Sequence, residues 1–156
     1  MEQGALAVHW AQLHDSAYLG IDPMVLGADA ASTGFGYHGA LIAHALAGAG
    51  DTMLSRPVVT NATTLQTLLV THASRHADGS VSIMLTNTSP TIAANVSVTI
   101  TGGAFACIGT RTAYTPSGAD LDGAVTTEPI FSSATGLAVP VAVPAYSVVV
   151  INFPPR

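Results

Sequence analysis

The side chains of this sequence that could carry acid–base chemistry are nine carboxylates and six histidines. The carboxylates are Glu2, Asp15, Asp22, Asp29, Asp51, Asp78, Asp120, Asp122 and Glu128. Hydrolysis of a glycosidic bond needs two such groups flanking a sugar, roughly 5 to 9.5 Å apart. Most of these stand beside glycine or in loop-like sequence, where aspartate serves turns and helix caps. His9 and His14 are five apart and His38 and His44 six apart, off the spacing that puts two ligands on one helix face. His72 and His76 bracket the end of an expected strand. Asp120-Leu121-Asp122-Gly123 has the oxygen-rich character of a calcium loop but lacks the other ligands of an EF-hand, and it reads first as a turn between strands. There is no Gly-x-Ser-x-Gly elbow, and Gly34-x-Gly36 lacks the preceding strand and third glycine of a phosphate loop. No cofactor is expected.

Binding without catalysis remains open to the aromatic side chains. The C–H face of a pyranose stacks on a ring while its hydroxyls bond to polar neighbours. The rings are Trp10, Tyr18, Phe35, Tyr37, Phe105, Tyr114, Phe131, Tyr146 and Phe153. Trp10 lies on an apolar helical stripe, and Tyr146 and Phe153 flank an expected buried strand, which assigns these three to the core. Tyr18, Tyr37 and Tyr114 are the candidate platform.

Composition limits the partners. Of 156 residues, 49% are hydrophobic and 8% charged, with a formal net charge of -5. The four basic residues are all arginine, too few for a phosphate-tracking surface, so nucleic acid is excluded as a partner. No apolar run reaches the length of a membrane helix. The surface must be built largely from Ser, Thr, Asn, Ala and Gly, which suits neutral partners such as sugars. Cys107 stands alone, so no internal disulfide or cysteine-based zinc site is available, and it reads as a small core residue. No basic segment followed by an apolar run opens the chain, so the compartment is unknown, and a fragment of a longer exported protein would look the same.

These candidates must be positioned by two kinds of element. Leu6, Trp10, Leu13 and Ala17 recur at helical spacing from about Gly4, and a second helix is expected from Gly36 to Ala47, stopped by Gly48. Gly20 to Phe35 reads as a long loop. From Met53 onward the period changes to two. Val81, Ile83 and Leu85 alternate with polar residues, broken by Met84, as do Val96, Val98 and Ile100. Asp78-Gly79 between Leu68–Ala73 and Val81 signals a hairpin. Further strands are expected at Ile108–Tyr114, Val125–Phe131, Leu137–Val143, where Pro140 indicates an edge, and Tyr146–Phe153. The last run is apolar on both faces and predicts cover on both sides, from the helical part or from a second subunit.

Several of these segments carry a resemblance. Glu2 to Asp15, Phe35-Gly36-Tyr37-His38-Gly39 and Ala47-Gly48-Ala49-Gly50-Asp51-Thr52 resemble the tail of the (β/α)8 barrel of clan-A-type glycoside hydrolases. Val70 to Arg75, Asp78 to Val81, Met84-Leu85-Thr86-Asn87 and Val143-Pro144-Ala145-Tyr146-Ser147-Val148 resemble the β-sandwich that follows that barrel. The resemblance implies a glycosidase-derived domain. In the family the catalytic glutamates precede the stretch matched here, and neither Glu2 nor Glu128 falls at a matching position.

The expected fold is therefore all-β, an antiparallel β-sandwich over residues 53–156 with an N-terminal helical extension over 1–52. The expected function is that of a noncatalytic accessory domain binding plant cell-wall polysaccharide. The alternatives are a small glycoside hydrolase, or a purely structural domain packed against a catalytic barrel. A homodimer is expected under either noncatalytic reading, because an apolar face left without its barrel must be hidden.

Overall fold

The computed structural model describes residues 35–55, 68–117, 120–132 and 137–156. The predicted helix at Gly4 to Ala17, the loop after it and Tyr18 lie outside the described residues. The architecture is an all-β antiparallel sandwich carrying one helix among the described residues.

The helix α1 (Phe35–Leu46) begins and ends within one residue of its expected bounds, and the chain turns away at Gly48. The strands are β1 (Thr52–Met53), β2 (Leu69–Arg75), β3 (Val81–Asn87), β4 (Ala94–Ile100), β5 (Ile108–Ser117), β6 (Asp120–Phe131), β7 (Leu137–Val143) and β8 (Ser147–Phe153). One sheet has the order β1-β2-β3-β8-β5-β6 and the other pairs β4 with β7. All pairings are antiparallel. The short β1 had no signal in the sequence, because two residues are too few to show a period.

The core lies between the sheets and follows from alternation. Val81, Ile83 and Leu85 of β3, Val149, Ile151 and Phe153 of β8, and Ala113 of β5 point inward. Opposite them stand Val139, Val141 and Val143 of β7, with Val96, Val98 and Ile100 of β4 packed against the cluster. Val96 faces Val141 and Val98 faces Val139 in register, the β-branched cross-strand pairing that suits a half-buried sheet. Gly109 makes room for this core: a Cβ there would lie 2.8 Å from the Phe153 ring. Pro140, exposed on β7 opposite Ser97, has no other strand beside it among the described residues, as its missing N–H requires. Cys107, expected in the core, is exposed, because it precedes β5 at the rim of the sheet.

The β2–β3 hairpin turns at Gly79, whose φ of 87° is natural for glycine. Asp78 fixes it by accepting from the Ser80 N–H at 2.8 Å and the Ser80 hydroxyl at 2.6 Å.

Two of the crossings between the sheets, β3 to β4 and β7 to β8, meet at one buried residue. The Asn87 Nδ2 group faces the carbonyls of Ile92 at 2.8 Å, Val143 at 3.3 Å and Pro144 at 3.0 Å. Its Oδ1 accepts from the Ser89 N–H at 3.0 Å. Truncation would leave carbonyls buried without donors, at about 1–3 kcal/mol for such a group. Asn87→Ala is expected to lower unfolding free energy by at least about that amount in urea titration. An unchanged midpoint would show that water replaces the amide.

Candidate functional site

The outer face of the six-stranded sheet, turned away from the core, carries both the polar chemistry and α1. Register fixes its rows. Ser74, Ser82, Asn152 and Thr110 lie side by side, then His72, Met84, Val150, Thr112 and Thr127, then Val70, Thr86, Val148, Tyr114 and Val125. The helix packs over β2, β3, β8 and β6. Its C-terminal end is tied to β2 by the Ser74 hydroxyl, which donates to the Leu46 carbonyl, so its first turn lies toward β6. Val150 is buried on this face while Val149 and Ile151 fill the core. The two-sided cover expected for β8 is thus supplied by α1. Met84, the break in the alternation, turns to this helix.

A cavity of about 280 Å³ opens beneath α1, lined by Ile42, Ala43, Leu46, Met53, His72 and Met84. The lining is nearly all apolar and contains no carboxylate.

Beside the cavity runs a relay that the sequence did not reveal. Asp51 Oδ2 lies 2.6 Å from His76 Nδ1, His76 Nε2 lies 2.7 Å from Ser82 Oγ, and Asn152 Nδ2 lies 3.1 Å from the same oxygen. The Asn152 amide donates to the Ser82 oxygen, and the His76 ring bridges that oxygen to the Asp51 carboxylate. The order of groups is that of an acid–base triad. Ser82 is completely buried, so no reacting carbonyl reaches its oxygen, and the relay works as a tie between the turn after α1 and the sheet. Its members are 25, 6 and 70 residues apart, so no local motif could have announced it.

Asp51 also accepts from the N–H groups of Gly48 at 2.7 Å and Ala77 at 3.0 Å. The Gly48 N–H, opposed by burial and aided by His76 and Ala77, holds its carboxyl below the usual range. The Ser80 hydroxyl and N–H do the same for Asp78. Glu128 is paired with Arg111 at 2.7 Å, and Arg111 also donates to the Ala142 carbonyl at 2.7 Å, clasping β6 and β7 together. Each of these carboxylates is therefore in structural use. Asp120 and Asp122 belong to the start of β6; the expected turn is displaced because the strand pairs from Ser117–Asp120 onward. No cluster of three metal-ligating side chains occurs among the described residues.

The proposed platform residues separate. Tyr114 stands half-buried on the outer face, in register with Val148 and Val125. Burial pushes its phenol up, so it remains a neutral hydroxyl. One row away the exposed Thr127 hydroxyl lies 3.2 Å from that of Thr112. Tyr37 is in the first turn of α1, the end toward β6, and its side chain is not among the described ones. Tyr146, assigned by its sequence position to the core, is 63% exposed, because it forms the corner before β8 instead of the strand itself. Phe131 is likewise exposed, opposite the exposed Ile108 at the rim.

No protein-family model matches the chain, and no curated protein does. Among solved structures it is similar to a bifunctional glucanase-xylanase from a metagenome library, at 15% identity over 57% of this chain, with a TM-score of 0.48. It is also similar to a GH51 α-L-arabinofuranosidase from Thermotoga petrophila, at 19% identity over 55% of this chain and a TM-score of 0.46. A third is a glycoside hydrolase family 30 subfamily 8 xylanase from Clostridium acetobutylicum, at 22% identity over 69% and a TM-score of 0.48. The matches span 16%, 19% and 24% of those chains. Likeness of this extent assigns no role to any residue.

The depressed carboxyls of Asp51 and Asp78 make stability depend on acid. Their contribution is complete above the unfolded value, near pH ~4, and is lost as pH falls through the lower folded value. The thermal midpoint is expected to drop as pH falls below about 4, and to drop less in Asp51→Asn, which is already weakened at neutral pH. Parallel curves for the two proteins would remove Asp51 as a source of the acid sensitivity.

Proposed function

We propose that the chain is a noncatalytic accessory domain of glycoside hydrolase type that binds plant cell-wall polysaccharide. The observation that carries this reading is the uncharged strip on β5 and β6. Tyr114 lies there beside a threonine hydroxyl pair on a partly exposed sheet surface, with no Asp, Glu, Lys or Arg in its rows. An aromatic face flanked by neutral hydroxyls matches a pyranose, which offers C–H groups on its faces and hydroxyls at its rim. Tyr37, in the first turn of α1, and Tyr18 belong to the same proposed platform. The resemblance of the Met84–Asn87 and Val143–Val148 segments to the sandwich following a hydrolase barrel supports the accessory role. So does the use of Asp51, Asp78 and Glu128 in structural bonds.

A second reading, packing against a catalytic barrel, has its own support. The helix α1 has no Asp, Glu, Lys or Arg in its twelve residues, yet Leu41 and Ala43 are exposed. A solvated helix face ordinarily carries charge. We take residues 1–52 as the part that faces such a barrel and 53–156 as the sandwich. In isolation the chain would hide that face, and the exposed Ile108–Phe131 pair, by forming a homodimer.

Affinity electrophoresis on soluble arabinoxylan, xyloglucan and mixed-linkage β-glucan, run beside a reducing-end assay, tests the reading. Retention without release of reducing ends is expected, with retention weakened several-fold in Tyr114→Ser. Release that survives stringent purification would overturn the noncatalytic assignment. Light scattering on a size-exclusion column should report a dimer, and a strict monomer at every concentration would count against the packing reading.

A further inference from the structure

We propose that Tyr146, at the corner between β7 and β8, is a second sugar-stacking platform that takes one neutral pyranose ring on its phenol face. The proposal deepens the polysaccharide-binding reading and rests on it.

The corner is unusual in its backbone. Tyr146 has a φ of 51°, and it is the one non-glycine residue with positive φ among the described residues. That region crowds the Cβ of an L-residue and is populated mainly by glycine, asparagine and aspartate. A large aromatic there is disfavoured for the fold, and packing does not repay it, because the side chain is 63% exposed. An exposed ring on a disfavoured backbone serves something outside the chain.

The corner is also rigid. The Tyr146 N–H donates to the Ser89 carbonyl at 2.7 Å, and the Ser147 hydroxyl donates to the Pro144 carbonyl at 2.7 Å. Ser89 is itself fixed by Asn87, and its hydroxyl accepts from the Ile92 N–H at 3.0 Å. Both chain segments that build the corner are thus held through buried Asn87 and Ser89. A platform so held loses little freedom when a ligand stacks on it.

The surroundings select the ligand class. The sequence contains no Asp, Glu, Lys, Arg or His from Gly79 to Thr110 or from Pro129 to Pro155. These stretches supply Asn87, Ser89, Pro144 and Ser147, which form the hydrogen bonds of the corner, and the exposed Pro90 and Ile92. A ring amid apolar and hydroxyl groups, without a charge to pair with phosphate or carboxylate, fits an uncharged sugar.

The test uses the full chain on arabinoxylan and mixed-linkage β-glucan gels with Tyr146→Gly, Tyr146→Trp and Tyr114→Ser, each paired with a thermal melt. Tyr146→Gly removes the ring and relieves the backbone while keeping the N–H to Ser89. It should bind about tenfold more weakly with a thermal midpoint equal to or above that of the wild type. Tyr146→Trp should retain binding. Wild-type retention that Tyr146→Gly leaves unchanged and Tyr114→Ser reduces would overturn this proposal and keep the polysaccharide reading. Absence of wild-type retention on every gel would overturn both. A Tyr146→Gly protein that binds normally but turns from dimer to monomer would make the ring a protein contact, and the proposal would fall.

Discussion

The buried carboxamide of Asn87 is the interaction on which the rest of the sandwich depends. The chain leaves the six-stranded sheet at the end of β3 to reach β4, and it returns from β7 to β8 at the same place. Neither crossing pairs its backbone in a strand ladder, and the carbonyls that turn inward there need a donor, because a buried unpaired carbonyl is costly. One side chain with donors and an acceptor resolves this: its amide nitrogen faces three carbonyls and its oxygen accepts from Ser89. An apolar residue of the same size would fill the space and leave those carbonyls orphaned. The valine ladder of β4 and β7 can face β3 and β8 in register only if this junction is closed.

The second constraint is that β8 is central and has two faces to bury. Its inner side chains, Val149, Ile151 and Phe153, complete the core, whereas Val150 and Asn152 face the helix side. Covering the outer face with α1 creates a new requirement, because the helix end and the turn after it bring polar backbone onto a sheet. Ser74 takes the Leu46 carbonyl, and Asp51 takes the Gly48 and Ala77 N–H groups. His76 and Ser82 carry the bonding inward to Asn152. Each donor in this series has an acceptor, the condition under which a buried polar network stabilises instead of costing. The resemblance to a catalytic triad follows from the same geometry and carries no chemistry, since the serine is sealed.

The legible part of this protein was whatever repeats locally. Alternation in Val81–Leu85 and Val96–Ile100, the Asp78-Gly79 turn and the double-faced apolar run at the end all report on single strands, and each appears in the fold. Met84 looked like an irregularity because its partner, α1, lies forty residues away in sequence. Tyr146 was misread for a related reason: hydrophobic period assigns a residue to a face, but a corner residue has no face, and the positive φ that exposes it leaves no mark in composition. Cys107 was misread at the rim of the sheet in the same way. The relay was illegible because its members come from the turn after α1, the hairpin, β3 and β8, and only the sheet order brings them together. Of the proposed platform, the register places Tyr114, the helix places the backbone of Tyr37, and Tyr18 lies outside the described residues.

Scarcity of charge connects the fold to its proposed role. A typical domain spreads about a quarter of its residues as charges to stay solvated, while this chain has 8% and commits Asp51, Asp78, Glu128 and Arg111 to internal ties. Besides the exposed Arg75 and Glu128, the exposed strand positions described here are mostly threonine, serine and apolar side chains, cheap to desolvate because no ion must be stripped of water. A polymer of neutral sugars presents the complementary problem, with many weak hydroxyl contacts and few anchors, so affinity must come from rings held in fixed positions. In the proposed reading, Tyr114 holds one such position through register and Tyr146 another through hydrogen bonds. The same lack of charge gives the exposed helix face no defence against association, so the proposed polysaccharide binding and the proposed packing against a larger enzyme draw on one property of the sequence.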